Sequence, residues 1–355
     1  MNILKFLKEN VKPARGCTEP IAVGLAASLA YMAIHEQIPT SLGGTSTYQI
    51  PPPEKHRISK VTIQTDRDVY KNSYAVCIPK TGGQRGMGIA AAMGLYCNPE
   101  KGLNLLEGIN PVVVRDANEL LKQEKIKILD VEDTGEKSEL DINVGLEYLT
   151  NEGIKKSSVR IQREHSNVTN IVVNGKILYK GEVKDYKRKE EELPEELSDL
   201  VEIARNLTPE EREEVYKGVV MNKAIIEEGL AHPYALNVAG YLQHLVEKGL
   251  LEKDLVTDVR IQAAAAADAR MGGADFPVMS SAGSGNQGIT ASVPIIVTDE
   301  YMGPNKDKLS EGLMLSHLVT KFVTNYSGYL SALCGCNIKA GVGAAAPTIS
   351  PVTAK

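Results

Sequence analysis

The sequence predicts an α+β protein in which a small α+β domain is inserted between an N-terminal helix and a C-terminal all-helical domain. Three observations carry this. Residues from 51 to about 180 alternate apolar and polar side chains with period two in several places, as half-buried strands do. Beyond a charged stretch, apolar residues recur at helical spacing. The chain of 355 residues is long enough for two domains, each with its own core. The boundaries drawn are 1–50 for an N-terminal helical segment packing on the C-terminal domain, 51–183 for the α+β domain, 184–196 for a linker and 197–355 for an all-helical, catalytic-type domain.

Each element has its own signal. Residues Ile21 to Ile34 form an apolar run broken by Gly24 and Ser28, a buried helix too short to span a bilayer. Pro51, Pro52 and Pro53 mark the exit from the helical segment. Val61 and Ile63 share one strand face, and Tyr74, Val76 and Ile78 another. Ile142, Val144, Leu146 and Tyr148 give the clearest alternation. Asn174-Gly175 between two apolar runs predicts a tight hairpin, because both turn residues take positive φ. Helical stretches at Gly86–Leu95 and Asp116–Gln123 separate the strands. Lys and Glu residues with Pro194 make 184–196 a solvated linker. Helices follow at Leu197–Ala204, Pro209–Leu230, Tyr234–Leu250 and Leu309–Leu333, with Thr208 as a cap and Pro209 in the first turn.

Composition excludes several function classes. Hydrophobic residues make up 43% and charged residues 24%, with no Trp and three Phe, so small side chains that let helices approach closely fill the core. A net charge of -5 without a basic stripe argues against a nucleic-acid partner. No segment reads as a signal peptide or membrane span. Five scattered cysteines fit a reduced, cytoplasmic setting better than a disulfide framework. A homodimer is compatible with helices of small residues.

Three segments resist explanation by packing alone. In Arg15-Gly16-Cys17-Thr18-Glu19-Pro20, Cys17 and Thr18 fall at the positive end of a helix, where a thiolate is favoured. The plainer alternative is that Thr18 caps the helix while Cys17 packs as a small hydrophobe. In Ser281-Ala282-Gly283-Ser284-Gly285-Asn286-Gln287-Gly288, glycines free the backbone N–H groups to converge on an anion such as a carboxylate, and Ser281, Ser284, Asn286 and Gln287 add polar groups. The spacing also matches a dinucleotide fingerprint, yet no strand of a βαβ unit precedes it and no parallel-sheet pattern follows. Cys334-Gly335-Cys336 is a weak metal signal, because thiols two apart on a helix point in different directions. Asp268 and Arg270 read as an ion pair or loop anchor, and His165 and His317 as lone structural histidines.

Together these segments resemble the L-cysteine desulfidase family, relatives of the bacterial iron–sulfur serine dehydratases. The resemblance runs through 16–22, Ile78-Pro79-Lys80-Thr81-Gly82-Gly83, 268–273, 280–288, 316–320 and 330–336, in consistent order. It implies conversion of L-cysteine to pyruvate, ammonia and sulfide, with an oxygen-sensitive [4Fe–4S] cluster; serine deamination is the sister activity. It further implies Cys17, Thr18 and Glu19 beside the reacting atoms, with Cys17 as α-proton base or cluster-side ligand. Ser281, Gly283, Ser284, Gly285, Asn286, Gln287 and Gly288 would cradle the substrate carboxylate, and Cys334 or Cys336 would ligate the cluster. The family pattern continues into a segment with two more cysteines, so the ligand set is expected to be incomplete here, and a homologue that binds an amino acid without turnover is the competing expectation. The three segments are expected to enclose one pocket.

Overall fold

The computed structural model describes residues 1–44, 50–129, 140–183, 193–328 and 333–349. They form two compact units, one of residues 16–187 and the other of residues 1–15 with 188–355. The short helix α1 (Ile3–Asn10) and the strand β1 (Pro13–Ala14) belong to the second. Phe6 and Leu7 of α1 are buried among Leu200, Val215, Val219 and Leu313 of that unit.

The unit of residues 16–187 is organised around α2 (Thr18–Ile34), nearly every residue of which is buried. A helix apolar all round needs cover on every side. It packs on α4 (Met87–Gly94) and on a six-stranded sheet of order β3-β2-β4-β5-β6-β7. The strands are β2 (Ile58–Thr65), β3 (Ile126–Ile128), β4 (Asp141–Thr150), β5 (Gly153–Gln162), β6 (Val168–Val173) and β7 (Lys176–Lys180). Among the described residues of this sheet, only β2 and β3 pair in parallel. Ile142, Val144, Leu146 and Tyr148 all face the core, as their alternation predicts. Asn174 and Gly175 have φ of 48° and 80°, the left-handed pair that the hairpin requires.

Where the structure departs from these expectations, local chemistry explains it. Residues 16–50 do not accompany α1, because α2 finds its cover on the sheet of its own unit. Tyr74, Val76 and Ile78 form no strand. Asp66 caps α3 (Arg67–Ser73) by accepting from the Asp68 and Val69 amides, Tyr74 is exposed, and the following loop makes a single bridge, Cys77 to Arg85. The helix expected at 116–123 begins earlier, as α5 (Pro111–Lys122), because Asn110 accepts from the Val112 and Val113 amides.

The described residues of the other unit are mainly helical. In order they are α6 (Leu197–Arg205), α7 (Pro209–Ala231), α8 (Val238–Glu247), α9 (Leu255–Met271), the strand β8 (Val278–Met279), α10 (Gly285–Met302), α11 (Lys306–Ser327), a π-helical turn (Cys336–Ala340) and α12 (Gly341–Ile349). Thr208 and Glu211 form a capping box on α7. The strand β8 pairs antiparallel with β1, and Ser280 N–H donates to Lys12 O at 2.8 Å. Helix α11 does not run to Leu333; it ends at Ser327, with Gly328 at φ 79°. Residues 329–332, inside that expected helix, lie outside the described residues, as do 184–192 of the expected linker.

Candidate active site

The glycine-rich segment is a turn feeding a helix. Ser281 and Ser284 exchange two backbone hydrogen bonds of 3.1 Å across Ala282 and Gly283, whose φ values are 46° and 82°. A left-handed alanine is uncommon and marks a backbone held there by its surroundings. Ser284 is the N-cap of α10, so the amides of Gly285 and Asn286 open its positive end. Helices α9 and α10 flank the turn and the preceding strand is antiparallel and two residues long, which removes the dinucleotide reading.

Arg270, 2% exposed at the end of α9, lies against this helix start. A Cβ on Gly285 would sit 2.5 Å from Arg270 Nε, so only glycine admits the guanidinium there. Arg270 Nη1 donates to Asn286 Oδ1 at 2.8 Å. Asp268 is no partner of Arg270 in this pairing; its Oδ2 accepts from the Val238 amide at the start of α8 at 2.6 Å. A buried guanidinium and two helix-start amides form an anion-binding arrangement.

The other polar groups of the segment are placed unequally. The Ser281 hydroxyl is fully buried, 3.0 Å from His317 Nδ1, so it anchors the turn to α11. The Gln287 side chain is buried against Gly335, and its Oε1 has no hydrogen-bond partner among the described residues. Gly335 joins the two late cysteines, so the cysteine turn and the α10 start meet. Burial, and then the neighbouring Cys334, push the Cys336 thiol up to about 12, while Thr290 and Arg270 oppose the rise. Lys339, also buried, donates to Gly328 O at 2.6 Å. Burial holds it below the usual lysine range. Among the described residues, no group of three or more His, Cys, Asp and Glu side chains is placed to hold a metal. The Cys334 and Cys336 thiols are two soft donors close to Arg270 and Lys339. Their thiolate forms suit an iron–sulfur cluster.

The Cys17 segment lies in the other unit. Cys17 is the N-cap of α2 and Thr18 its first residue; neither side chain bonds a first-turn amide. The Cys17 thiol donates to Glu19 Oε2 at 2.9 Å, and the Thr18 hydroxyl to the same oxygen at 3.2 Å. Asn72 Nδ2 donates to Glu19 Oε1 at 3.0 Å, and His165 Nε2 lies 3.9 Å from that oxygen. The helix start favours a thiolate, whereas the adjacent carboxylate favours the protonated thiol. Sequence reasoning read His165 as a lone structural histidine and did not single out Asn72; both are distant in sequence from Glu19 and carry no local motif.

His317 yields a pH prediction. Burial depresses it to about 4, so it stays neutral in the fold while the unfolded chain takes up a proton below about 6.5. Between those values the unfolded state binds more protons, so stability falls as pH falls. From pH 6.5 to 5 this group alone removes about 2 kcal/mol. Denaturant unfolding of His317→Asn at the two pH values should show a loss smaller by that amount. An identical loss in both proteins would sink the assignment.

The serine dehydratase alpha chain family model matches residues 108–351. The UPF0597 protein of Desulfatibacillum aliphaticivorans is 33% identical over 352 residues, covering 96% of this chain and 74% of the relative. Those of Clostridium botulinum (strain Okra / Type B1) and Alkaliphilus oremlandii are 34% and 35% identical, covering 97% and 96% of this chain and 74% of each relative. No solved structure matches. No helix among the described residues is long and apolar enough to cross a membrane.

Proposed function

The chain belongs to the serine dehydratase alpha-chain family, and from that premise we propose that it is a β-eliminating lyase converting L-cysteine to pyruvate, ammonia and sulfide. The observation that carries the reading is the buried Arg270 guanidinium laid over Gly285 at the start of α10, beside the paired thiols of Cys334 and Cys336. Elimination requires a substrate whose carboxylate is held still, an acceptor for the α-proton and help for the departing β-substituent.

The chain's own residues divide this work. Arg270 and the amides of Gly285 and Asn286 bind the carboxylate, and Ser284 fixes the helix start by capping it. The orphaned Gln287 Oε1 accepts from the substrate ammonium group, which satisfies an otherwise unpaired buried acceptor. Gly283 and Gly288 shape the backbone; a Cβ on Gly288 would stand 1.9 Å from Met279 O. Within its own unit, Cys17, with Glu19 to take its proton, is the proposed proton acceptor. A [4Fe–4S] cluster, when bound, supplies a Lewis-acidic iron that draws electron density from the leaving sulfur. Cys334 and Cys336 are its proposed protein ligands in this chain.

The test is anaerobic reconstitution with iron and sulfide, followed by assay of sulfide and pyruvate release from L-cysteine; absent release from a protein that carries cluster would overturn the reading. L-Serine in competition separates the desulfidase from the sister dehydratase, since a soft thiolate and a hard hydroxyl make different demands on iron. The second reading is amino-acid binding without turnover. Calorimetry showing L-cysteine binding with no product would select it. Cys334→Ser and Cys336→Ser are each expected to lower reconstituted iron content at least twofold, whereas Cys77→Ser should leave it unchanged. Equal iron in all three would remove these residues as ligands.

A further inference from the structure

The cluster around Glu19 contains a histidine that nothing above uses. His165 follows β5, its Nε2 is buried, and that atom makes no hydrogen bond among the described residues. It faces Glu19 Oε1 at 3.9 Å, longer than a hydrogen bond. Acid–base pairs are often loose before substrate arrives and tighten in the complex. Glu19 is well placed as an intermediary. Asn72 fixes Oε1 at 3.0 Å, while Oε2 takes the hydrogen bond from the Cys17 thiol at 2.9 Å. The two oxygens of one buried carboxylate therefore point to a thiol on one side and an imidazole on the other.

We propose that His165 is a positioning residue that acts on Cys17 through Glu19, the three forming a proton relay. The thiol proton passes to Glu19 Oε2 as the S–H bond breaks; rotation of the carboxyl group about Cγ–Cδ turns that oxygen toward His165, and the same proton passes to Nε2. The balance is one thiolate and one imidazolium, with the carboxylate regenerated and no other reactant consumed. Burial favours neutral His165 and hence an acceptor at neutral pH. The carboxylates facing it, Glu19, Asp66 at the head of α3 and Glu164 beside it in sequence, favour the imidazolium once formed. The purpose of the relay, a Cys17 thiolate ready to take an α-proton, rests on the lyase reading; its existence does not.

Cys17 alkylation by iodoacetamide at pH 7.5, read by mass spectrometry of the Cys17 peptide, tests the relay without substrate or cluster. His165→Gln and His165→Asn should slow alkylation about tenfold, the change given by one unit in thiol acidity. Glu19→Gln should slow it equally, and Glu19→Gln with His165→Gln should be no slower than either alone, because the histidine acts only through the carboxylate. Thermal melts establish that each variant is folded. Faster alkylation of Glu19→Gln would mean that the carboxylate merely repels a thiolate, and would overturn the proposal without needing a histidine variant. An unchanged rate in a folded histidine variant, or a histidine effect that persists without Glu19, would overturn it too. A sound relay in a protein that releases no sulfide would leave the relay standing and the lyase reading refuted.

Discussion

Arg270→Met is expected to weaken binding of L-cysteine or L-serine by 10- to 100-fold. Arg270 is 2% exposed, and its guanidinium covers the Cα of Gly285 at the positive end of α10. A charge-assisted hydrogen bond contributes about 1.5–3 kcal/mol, and each 1.4 kcal/mol is about tenfold in affinity. Methionine keeps much of the volume, so the loss is of charge and hydrogen bonding more than of packing. Arg270→Lys separates these further: it keeps the positive charge but lacks the planar fork that reaches both Asn286 Oδ1 and a carboxylate. It should recover less than half of the lost binding free energy. Calorimetric titration of the folded variants decides the matter, and an affinity unchanged in Arg270→Met would remove the anion site.

Sequence patterning foretold those parts of the molecule whose structure is decided locally. The alternation of Ile142 to Tyr148 and the Asn174-Gly175 turn each depend on a few neighbouring residues, and both stand as expected. The strand expected at Tyr74 to Ile78 failed for a local reason as well. Asp66 offers a helix cap that outweighs a short alternation, and Gly82, Gly83 and Gly86 with positive φ turn the chain into a loop. Local pattern could not reveal partnerships across the chain. His317 meets Ser281, and His165 meets Glu19, through contacts 36 and more than 100 residues apart. In each case both residues were visible in the sequence and their pairing was not. The placement of α2 has the same origin: a helix apolar on every face announces burial but not what buries it.

The small-residue core makes a sharp prediction of its own at α4. A Cβ on Gly94 would stand 2.1 Å from Gly24 O and 2.8 Å from Gly24 Cα, so the backbones of α2 and α4 touch with no room for a methyl group. Backbone on both sides cannot be moved aside as a side chain can. Gly94→Ala must therefore separate two buried helices, with a cost at or above the 1–3 kcal/mol typical of overpacking. At roughly 2–4 °C per kcal/mol for domains of 150–250 residues, a cost of about 3 kcal/mol lowers the melting temperature by about 6–12 °C. Gly88 on the same helix is the internal comparison. Its Cβ would meet Leu121 Cδ2 at 3.5 Å, an ordinary contact, and alanine is the better helix former by up to about 1 kcal/mol. Gly88→Ala should thus melt at or above the wild-type temperature while Gly94→Ala melts well below it. Equal melting temperatures for the two variants would show that close approach of α2 and α4 is not what the glycine at 94 provides.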